Sequence, residues 1–302
     1  MTNSEDAVAS GPTPQALVER LTRLLTVTPQ SEDHFVGKRM PGGVGRVFGG
    51  EVIAQALMAA TAAVDPDRLA HSLHAYFLRG GSEESDITYR VERDFDGGSF
   101  SARRVIAEQD GRPILNLAAS FHKREAGVSH QDAMPEVPPP EDLASEVELR
   151  RAVIDKIPEQ MRRQMTRPRA IEFRPVEARH WMNSEARPPR THSWFRTVAP
   201  LADDPVLHRA VLASVSDMTL LGTCALPHGL SWLKGELQSA SLDHAIWLHD
   251  DFRCDEWMLC VTDSPWAGRA RGFNRGRIYT RDGRLVADVA QEGLIREVTP
   301  KA

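Results

Sequence analysis

The sequence predicts an α+β fold made of two copies of one unit, an antiparallel sheet wrapped around a single buried helix. Three observations carry the prediction. Asp110-Gly-Arg-Pro-Ile-Leu-Asn-Leu-Ala-Ala-Ser-Phe121 lines up without gaps on Asp282-Gly-Arg-Leu-Val-Ala-Asp-Val-Ala-Gln-Glu-Gly293, an offset of 172 residues (282 − 110), and both read as a tight turn feeding a strand. Two largely apolar helical stretches, Glu51–Ala63 and the one ending at Asp217, each stand ahead of such a hairpin, and helices of that kind must be buried nearly all round. Between the two sets the chain turns polar and carries Pro138-Pro-Pro140, which marks a linker. The expected domains are 13–123 and 171–302, with 124–170 between them.

Residues 1 to 12 are small and polar and are expected to be disordered. Thr13 and Pro14 open a helix as cap and first helical residue, and Leu17, Leu21, Leu24 and Leu25 stripe one side of it. The glycine-rich run Gly42 to Gly50 leads into the first buried helix, so backbone N–H groups at Gly49 and Gly50 are expected to approach a ligand closely. Within it, Gly43-x-Gly45-x-x-Phe48 lacks the last glycine of a dinucleotide fingerprint and has no apolar strand before it, which argues against that chemistry. Strands follow over Leu73–Leu78, Ile87–Phe95, Phe100–Gln109 and Pro113–Phe121. In the linker, Leu143–Met165 reads as one charged helix, with Arg162, Arg163, Arg167 and Arg169 at or past its end as a solvated cluster or, alternatively, phosphate ligands.

The second half opens with strands at Ile171–Glu177 and Trp194–Val198, and its helix is capped by Asp203 or Asp204 with Pro205 in the first turn. Leu242–His249 then matches Leu73–Leu78 around a shared His-Ala, at an offset of 170 (244 − 74). All six tryptophans fall in this half, which predicts a bulkier core or bulkier pocket walls there.

A formal charge of −5 gives no reason to expect nucleic acid or an anionic membrane as partner, no run of 18 apolar residues occurs, and no N-terminal apolar stretch resembles a signal peptide. A cytoplasmic protein is expected, with Val298-Thr-Pro-Lys-Ala302 differing from a peroxisomal Ser-Lys-Leu ending. The three cysteines, Cys224, Cys254 and Cys260, make no C-x-x-C pair and read as small buried hydrophobes, so neither disulfide framework nor zinc site is expected. His-Glu-x-x-His, Walker and Gly-x-Ser-x-Gly motifs are absent, the nearest to the last being Gly229-Leu-Ser-Trp-Leu233.

Two polar residues stand out on apolar faces. In the second hairpin strand Leu285, Ala287, Val289 and Gln291 share one side, where the first copy has Ala119 in place of Gln291. A polar amide on a buried face needs partners, so Gln291 is either the edge of a site or a core amide satisfied by backbone. On the second helix Val206, Ala210, Ala213 and Asp217 stack at i, i+4, i+7, i+11. Burial and the negative end of the helix dipole disfavour a charged Asp217, which suits a base that holds and deprotonates water; the alternative is a fraying last turn in solvent.

Taken together, many separate blocks resemble the type II, TesB-like acyl-CoA thioesterases, whose chains carry two hotdog domains. The blocks are Arg46-Val-Phe-Gly-Gly50 running into Gln55-Ala-Leu57, His71-Ser-Leu-His-Ala-Tyr-Phe-Leu-Arg79, Ser99-Phe-Ser-Ala-Arg-Arg104, Ala119-Ser-Phe121, Ser216-Asp217, Pro227-His-Gly229, Leu242-Asp-His244, Ala270-Arg-Gly-Phe273 and Val289-Ala-Gln-Glu-Gly293. The resemblance implies tandem hotdog domains forming a pseudo-dimer, hydrolysis of acyl-CoA without metal or cofactor, and a homo-oligomer, dimer or tetramer. It implies a water held by Asp217, Ser241 and Gln291, with Gly49 and Gly50 N–H groups as candidates to meet the oxyanion. Ser241 comes from the resemblance alone, because Ser241, Asp243, Ala245 and Trp247 alternate with a more apolar face of Leu242, Ile246 and Leu248. Two alternatives stay open: a non-catalytic acyl-CoA binder, and an enoyl-CoA hydratase, whose Asp-x-Asn-Pro-x-His motif Asp203-Asp-Pro-Val-Leu-His208 resembles without its Asn and spacing. On that departure Asp203 and His208 read as cap and helix surface.

Overall fold

The structure, a computed structural model, describes residues 11–40, 45–178, 185–230 and 234–298. The expected disorder at residues 1–10, and the residues Gly42, Gly43, Trp181, Ser231 and Trp232, lie outside the described residues. The first half contains α1 (Pro14–Leu25), β1 (Val27–Ser31), β2 (His34–Gly37), α2 (Gly49–Ala62), β3 (Arg68–Phe77), β4 (Ile87–Asp96), β5 (Phe100–Gln109) and β6 (Arg112–Lys123). Two short helices follow, α3 (Glu146–Arg151) and α4 (Glu159–Thr166). The second half has β7 (Ile171–Pro175), β8 (Arg190–Thr197), α5 (Pro205–Ser216), β9 (Leu237–Ser241), β10 (Asp243–Leu248), β11 (Met258–Gly268), β12 (Arg271–Thr280) and β13 (Leu285–Glu297).

The strands form one antiparallel sheet in the order β1-β2-β4-β5-β6-β3-β10-β13-β12-β11-β8-β7, with β9 on β13. That order is the same read from either end once each strand is exchanged for its counterpart, so the molecule is a pseudo-dimer joined through β3 and β10. At the join Leu73 faces Ile246 and Ala75 faces His244. The helices α2 and α5 lie together inside the curve of the sheet, where Ile53, Ala54, Ala56, Ala210, Val211 and Leu212 are fully buried. Alanine at these positions lets the two helices and the sheet approach closely, and removal of so much apolar surface from water is the main drive to this arrangement.

Each half repeats the same strand-pairing logic, but the shared His-Ala is one residue out of register. Leu73 pairs with Ala119 on β6, and Ile246 pairs with Val289 on β13. Matching the hairpins then sets Leu73, not His74, opposite His244. A one-residue slip inverts faces, and accordingly His74 is exposed while His244 is fully buried.

Two other expectations change. The single helix at 143–165 is broken into α3 and α4 by a 3₁₀ turn at Ile154–Lys156 and by Pro158, which lacks the N–H an unbroken helix needs. Ser145 caps α3 through a capping box with Glu148. Strands β1, β2, β9, β11 and β12 lie outside the stretches read as strands; β1, β2 and β9 are short pieces, and β1 carries Pro29 at the sheet edge, where the missing donor is tolerated. The bulkier core expected of this half is present in part. Trp194 and Trp257 join Leu259 and Tyr279 in a satellite core on the outer face of the sheet, which Met134, Val137 and Leu143 of the linker cover. The linker is pinned there by Trp194 Nε1 donating to Pro138 O at 2.9 Å and by Arg277–Asp132 and Arg281–Glu141 ion pairs. Trp247 and Trp266 are exposed.

Candidate active site

Helix α5 begins where Asp204 accepts from Val206 N at 2.9 Å with Pro205 behind it, and it ends at Ser216. Asp217 is the residue just past the last turn, and its side chain is only 5% exposed, so the stacking read from periodicity holds and the solvent-frayed alternative does not. Gln291 on β13 is fully buried, and its Nε2 donates to Asp217 Oδ1 at 2.6 Å. The face predicted by strand alternation thus delivers the amide to the acid.

A third buried group completes the cluster. His244 of β10 has Nδ1 at 3.2 Å from Gln291 Nε2 and Nε2 at 2.9 Å from the Ser216 hydroxyl, which itself donates to Ala213 O at 3.0 Å. Burial lowers the pKa of His244 more than the nearby Asp217 and Asp243 carboxylates raise it, favouring a neutral ring. His244 and Ser216 were not singled out from sequence as site residues. The signal for His244 existed, since it alternates in step with Leu242, Ile246 and Leu248 and so had to sit on the apolar face.

The other half supplies the opposite wall. A Cβ on Gly49 would lie 2.9 Å from Asp217 Oδ2 and 2.8 Å from the Phe77 ring, and one on Gly50 would strike the Ser214 carbonyl. Glycine is required at both positions because the start of α2 abuts the end of α5. The N-cap of α2, Phe48, makes no side-chain capping hydrogen bond, so the positive dipole end of α2, which begins at Gly49 against Asp217, carries no side-chain acceptor. Gly49 therefore stands beside Asp217, and Gly50 beside the last turn of α5 at Ser214.

Ser241 is joined less closely. It pairs with Gly293, which puts it on the Gln291 face of the sheet but two residues farther along, and no hydrogen bond links it to Asp217 or Gln291 among the described residues. Between them the strand shifts register at Leu242, whose N–H donates to Glu292 O, while Glu292 N donates to Asp243 Oδ1 at 2.6 Å. Asn274 on β12 braces the same stretch: its Nδ2 donates to Gln291 O at 3.4 Å and its Oδ1 accepts from Cys224 N at 2.9 Å. The Asp203–His208 segment has no part in this. Asp204 is the cap, Asp203 pairs with Arg253, and His208 is buried rather than on the helix surface, its Nδ1 accepting from Cys254 N at 3.1 Å.

Two family models match the chain, an acyl-CoA thioesterase N-terminal domain over residues 38–122 and an acyl-CoA thioesterase C-terminal domain over 135–295. The chain belongs to the acyl-CoA thioesterase family. Acyl-coenzyme A thioesterase 8 of Homo sapiens is 38% identical, the alignment covering 91% of this chain and 88% of that protein. Acyl-CoA thioesterase 2 of Haemophilus influenzae is 35% identical over 93% of this chain and 98% of its own length. Among solved structures, an acyl-CoA thioesterase II from Mycobacterium marinum superposes with a TM-score of 0.76 at 39% identity, covering 92% of this chain and 99% of that one. A hot dog fold protein from Alicyclobacillus acidocaldarius, 18% identical with a TM-score of 0.74, covers 93% of this chain and 99% of its own and shares the fold. The tandem hotdog expected from sequence is thus the fold of this acyl-CoA thioesterase family member, and no helix among its described residues is long and apolar enough to cross a membrane.

Proposed function

We propose that the protein hydrolyses fatty acyl-CoA thioesters to free acid and CoA using a water activated by Asp217. The observation that carries this reading is the meeting of a buried acid, a buried amide and a bare helix start: Asp217 takes Gln291 Nε2 on one oxygen at 2.6 Å, and its other oxygen lies against Gly49. Water donates one hydrogen to Asp217; as its oxygen bonds to the thioester carbonyl carbon, that proton passes to the carboxylate. The carbonyl oxygen takes the negative charge and is met by N–H groups of Gly49 and Gly50, whose dipole needs no rearrangement to receive it. The intermediate collapses with cleavage of the C–S bond, and the CoA thiolate leaves and takes the proton held by Asp217, which restores the base. Ser241, on the Gln291 face of the sheet, adds a hydroxyl toward the water. A thiolate is a good leaving group, so covalent catalysis is not needed.

The test is release of CoA thiol from short, medium and long acyl-CoAs. Asp217→Asn, which keeps the shape and loses the base, is expected to lower kcat by about 100- to 10,000-fold. No thiol release from any chain length, or an unchanged rate in Asp217→Asn, defeats the proposal, and tight binding without turnover selects an acyl-CoA binder instead.

A further inference from the structure

We infer that His244, held as the neutral Nε2–H tautomer, is the positioning residue that turns the carbonyl oxygen of Gln291 toward the attacking water. The inference rests on the hydrolytic reading above and adds a residue to it. A run of hydrogen bonds decides the tautomer. The Ser216 hydroxyl donates to Ala213 O at 3.0 Å, and a hydroxyl has one hydrogen to give. Its oxygen, 2.9 Å from His244 Nε2, is left to accept, so Nε2 carries the proton. Nδ1 is then a free lone pair 3.2 Å from Gln291 Nε2. The opposite tautomer aims an N–H at that amide nitrogen, which cannot accept, while the nearest Asp217 oxygen is 3.9 Å away.

Gln291 Nε2 has two hydrogens, and both are committed, one to Asp217 Oδ1 and one to His244 Nδ1. An amide whose nitrogen is pinned on two sides cannot turn over. Its oxygen is fixed by the same bonds, and Gln291 Oε1 is buried without a partner among the described residues. A buried acceptor lacking a donor is unfavourable and calls for a polar guest. A water that donates to both Oε1 and Asp217 satisfies it, and with both hydrogens engaged that water keeps its lone pairs for the thioester carbon. Without the Nδ1 acceptor only the bond to Asp217 Oδ1 holds the amide nitrogen, and the amide can swing about that single bond and carry Oε1 away from the water.

Two variants divide the imidazole into its halves. In His244→Asn the new Oδ1 falls near the place of Nδ1 and accepts from Gln291; in His244→Gln the new Nε2 falls near the place of the ring Nε2 and donates to Ser216, but Gln291 gains no acceptor. His244→Gln is expected to lower kcat at least about tenfold with KM nearly unchanged, and His244→Asn to keep several-fold more of the wild-type kcat. Equal kcat in the two, or the reverse order, overturns the inference. So does a ¹⁵N spectrum of the wild-type protein that puts the imidazole proton of His244 on Nδ1, a measurement that does not depend on any variant folding. Asp217→Asn in the same assay separates the two levels. Wild-type turnover there removes the water mechanism itself, whereas loss of turnover with a reversed Asn and Gln order removes only the role of His244.

Discussion

The two halves share a fold and differ at nearly every position that matters to the site. Counted from their N-caps, Phe48 and Asp204, helices α2 and α5 place Thr61 opposite Asp217 and Ala60 opposite Ser216. Strand pairing places Leu73 opposite His244 and Ala119 opposite Gln291, and Leu73 and Ala119 are themselves paired neighbours. Three members of the polar cluster thus have aliphatic counterparts, Ala60, Leu73 and Ala119, and the fourth, Asp217, has Thr61, whose hydroxyl donates to Leu57 O at 2.8 Å. Asn274, which pairs with Gln291, has Arg103 as counterpart beside Ala119. The Arg103 guanidinium donates to the Ala63 carbonyl at 3.0 and 2.9 Å, so a cation closes the end of α2 where an anion ends α5. The helix starts differ in the complementary sense: α2 opens with two glycines and no cap, while α5 opens with a proline, which has no N–H, and with the Val206 N–H already taken by Asp204. Each end of the helix pair is consistent in itself. One end has a base and free donors, and the other has neither.

This contrast can be broken from the active side first. Replacing Asp217 by its counterpart, as Asp217→Thr, is expected to cost about 100- to 10,000-fold in kcat, read by thiol release.

A buried acid sets the halves apart in stability as well. Glu51 in the first turn of α2 stands where α5 has Leu207, it accepts from Met40 N at 3.1 Å, and burial pushes its pKa up to about 7. Because the folded value lies above the unfolded one, its contribution to stability is fully present below the unfolded pKa of 4.5 and is lost as pH rises through about 7. The difference is worth about 3 kcal/mol. Glu51→Gln, which keeps the acceptor without the charge, is expected to remove that slope, so that denaturant unfolding shows wild type and variant close together at pH 5 and the variant more stable at pH 8.

Next in size, Gln291→Ala copies Ala119 into the second half and is expected to lower kcat by about 10- to 100-fold at unchanged KM, because the base stays while its water loses one partner. The smallest effect sharpens the contrast by its absence. Thr61→Asp in an Asp217→Thr background restores a carboxylate at the other end of the helix pair, and no recovery of thiol release is expected, since the capped start of α5 offers few donors to an oxyanion. Recovery there would show that the bare helix start is dispensable.

How much of this was legible in the chain follows the strength of each signal. The helices α2 and α5 were readable because they are apolar nearly all round, and β3 to β6 because alternation and the Asp-Gly turns frame them. Asp217 and Gln291 were found as polar residues breaking an apolar face. His244 gave the same signal, but the repeated His-Ala suggested an equivalence with His74 that pairing denies, and a one-residue error hides which face a side chain takes. Short edge pieces such as β1 carry too few residues to show a period. The approach of Gly49 to Asp217 joins residues in different halves, and no local pattern reports such a distance. Ser241 came from the family resemblance; on β9 it pairs with Gly293, two residues beyond Gln291.

The strap between the halves has a consequence of its own. Gln131 Nε2 donates to Gly283 O at 2.7 Å and Leu285 N donates to Gln131 Oε1 at 3.0 Å, so the connecting segment is bound along the second hairpin as well as covering Trp194 and Trp257. In a dimer of identical chains every substitution is made twice, and a change that benefits one end of the helix pair is imposed on the other. Tethering gives each copy a permanent neighbour at high effective concentration, and each copy is then free to drift. A glycine pair can specialise as donor beside a base it does not itself carry, and inheritance can lose one of two equivalent centres without either partner meeting the wrong mate.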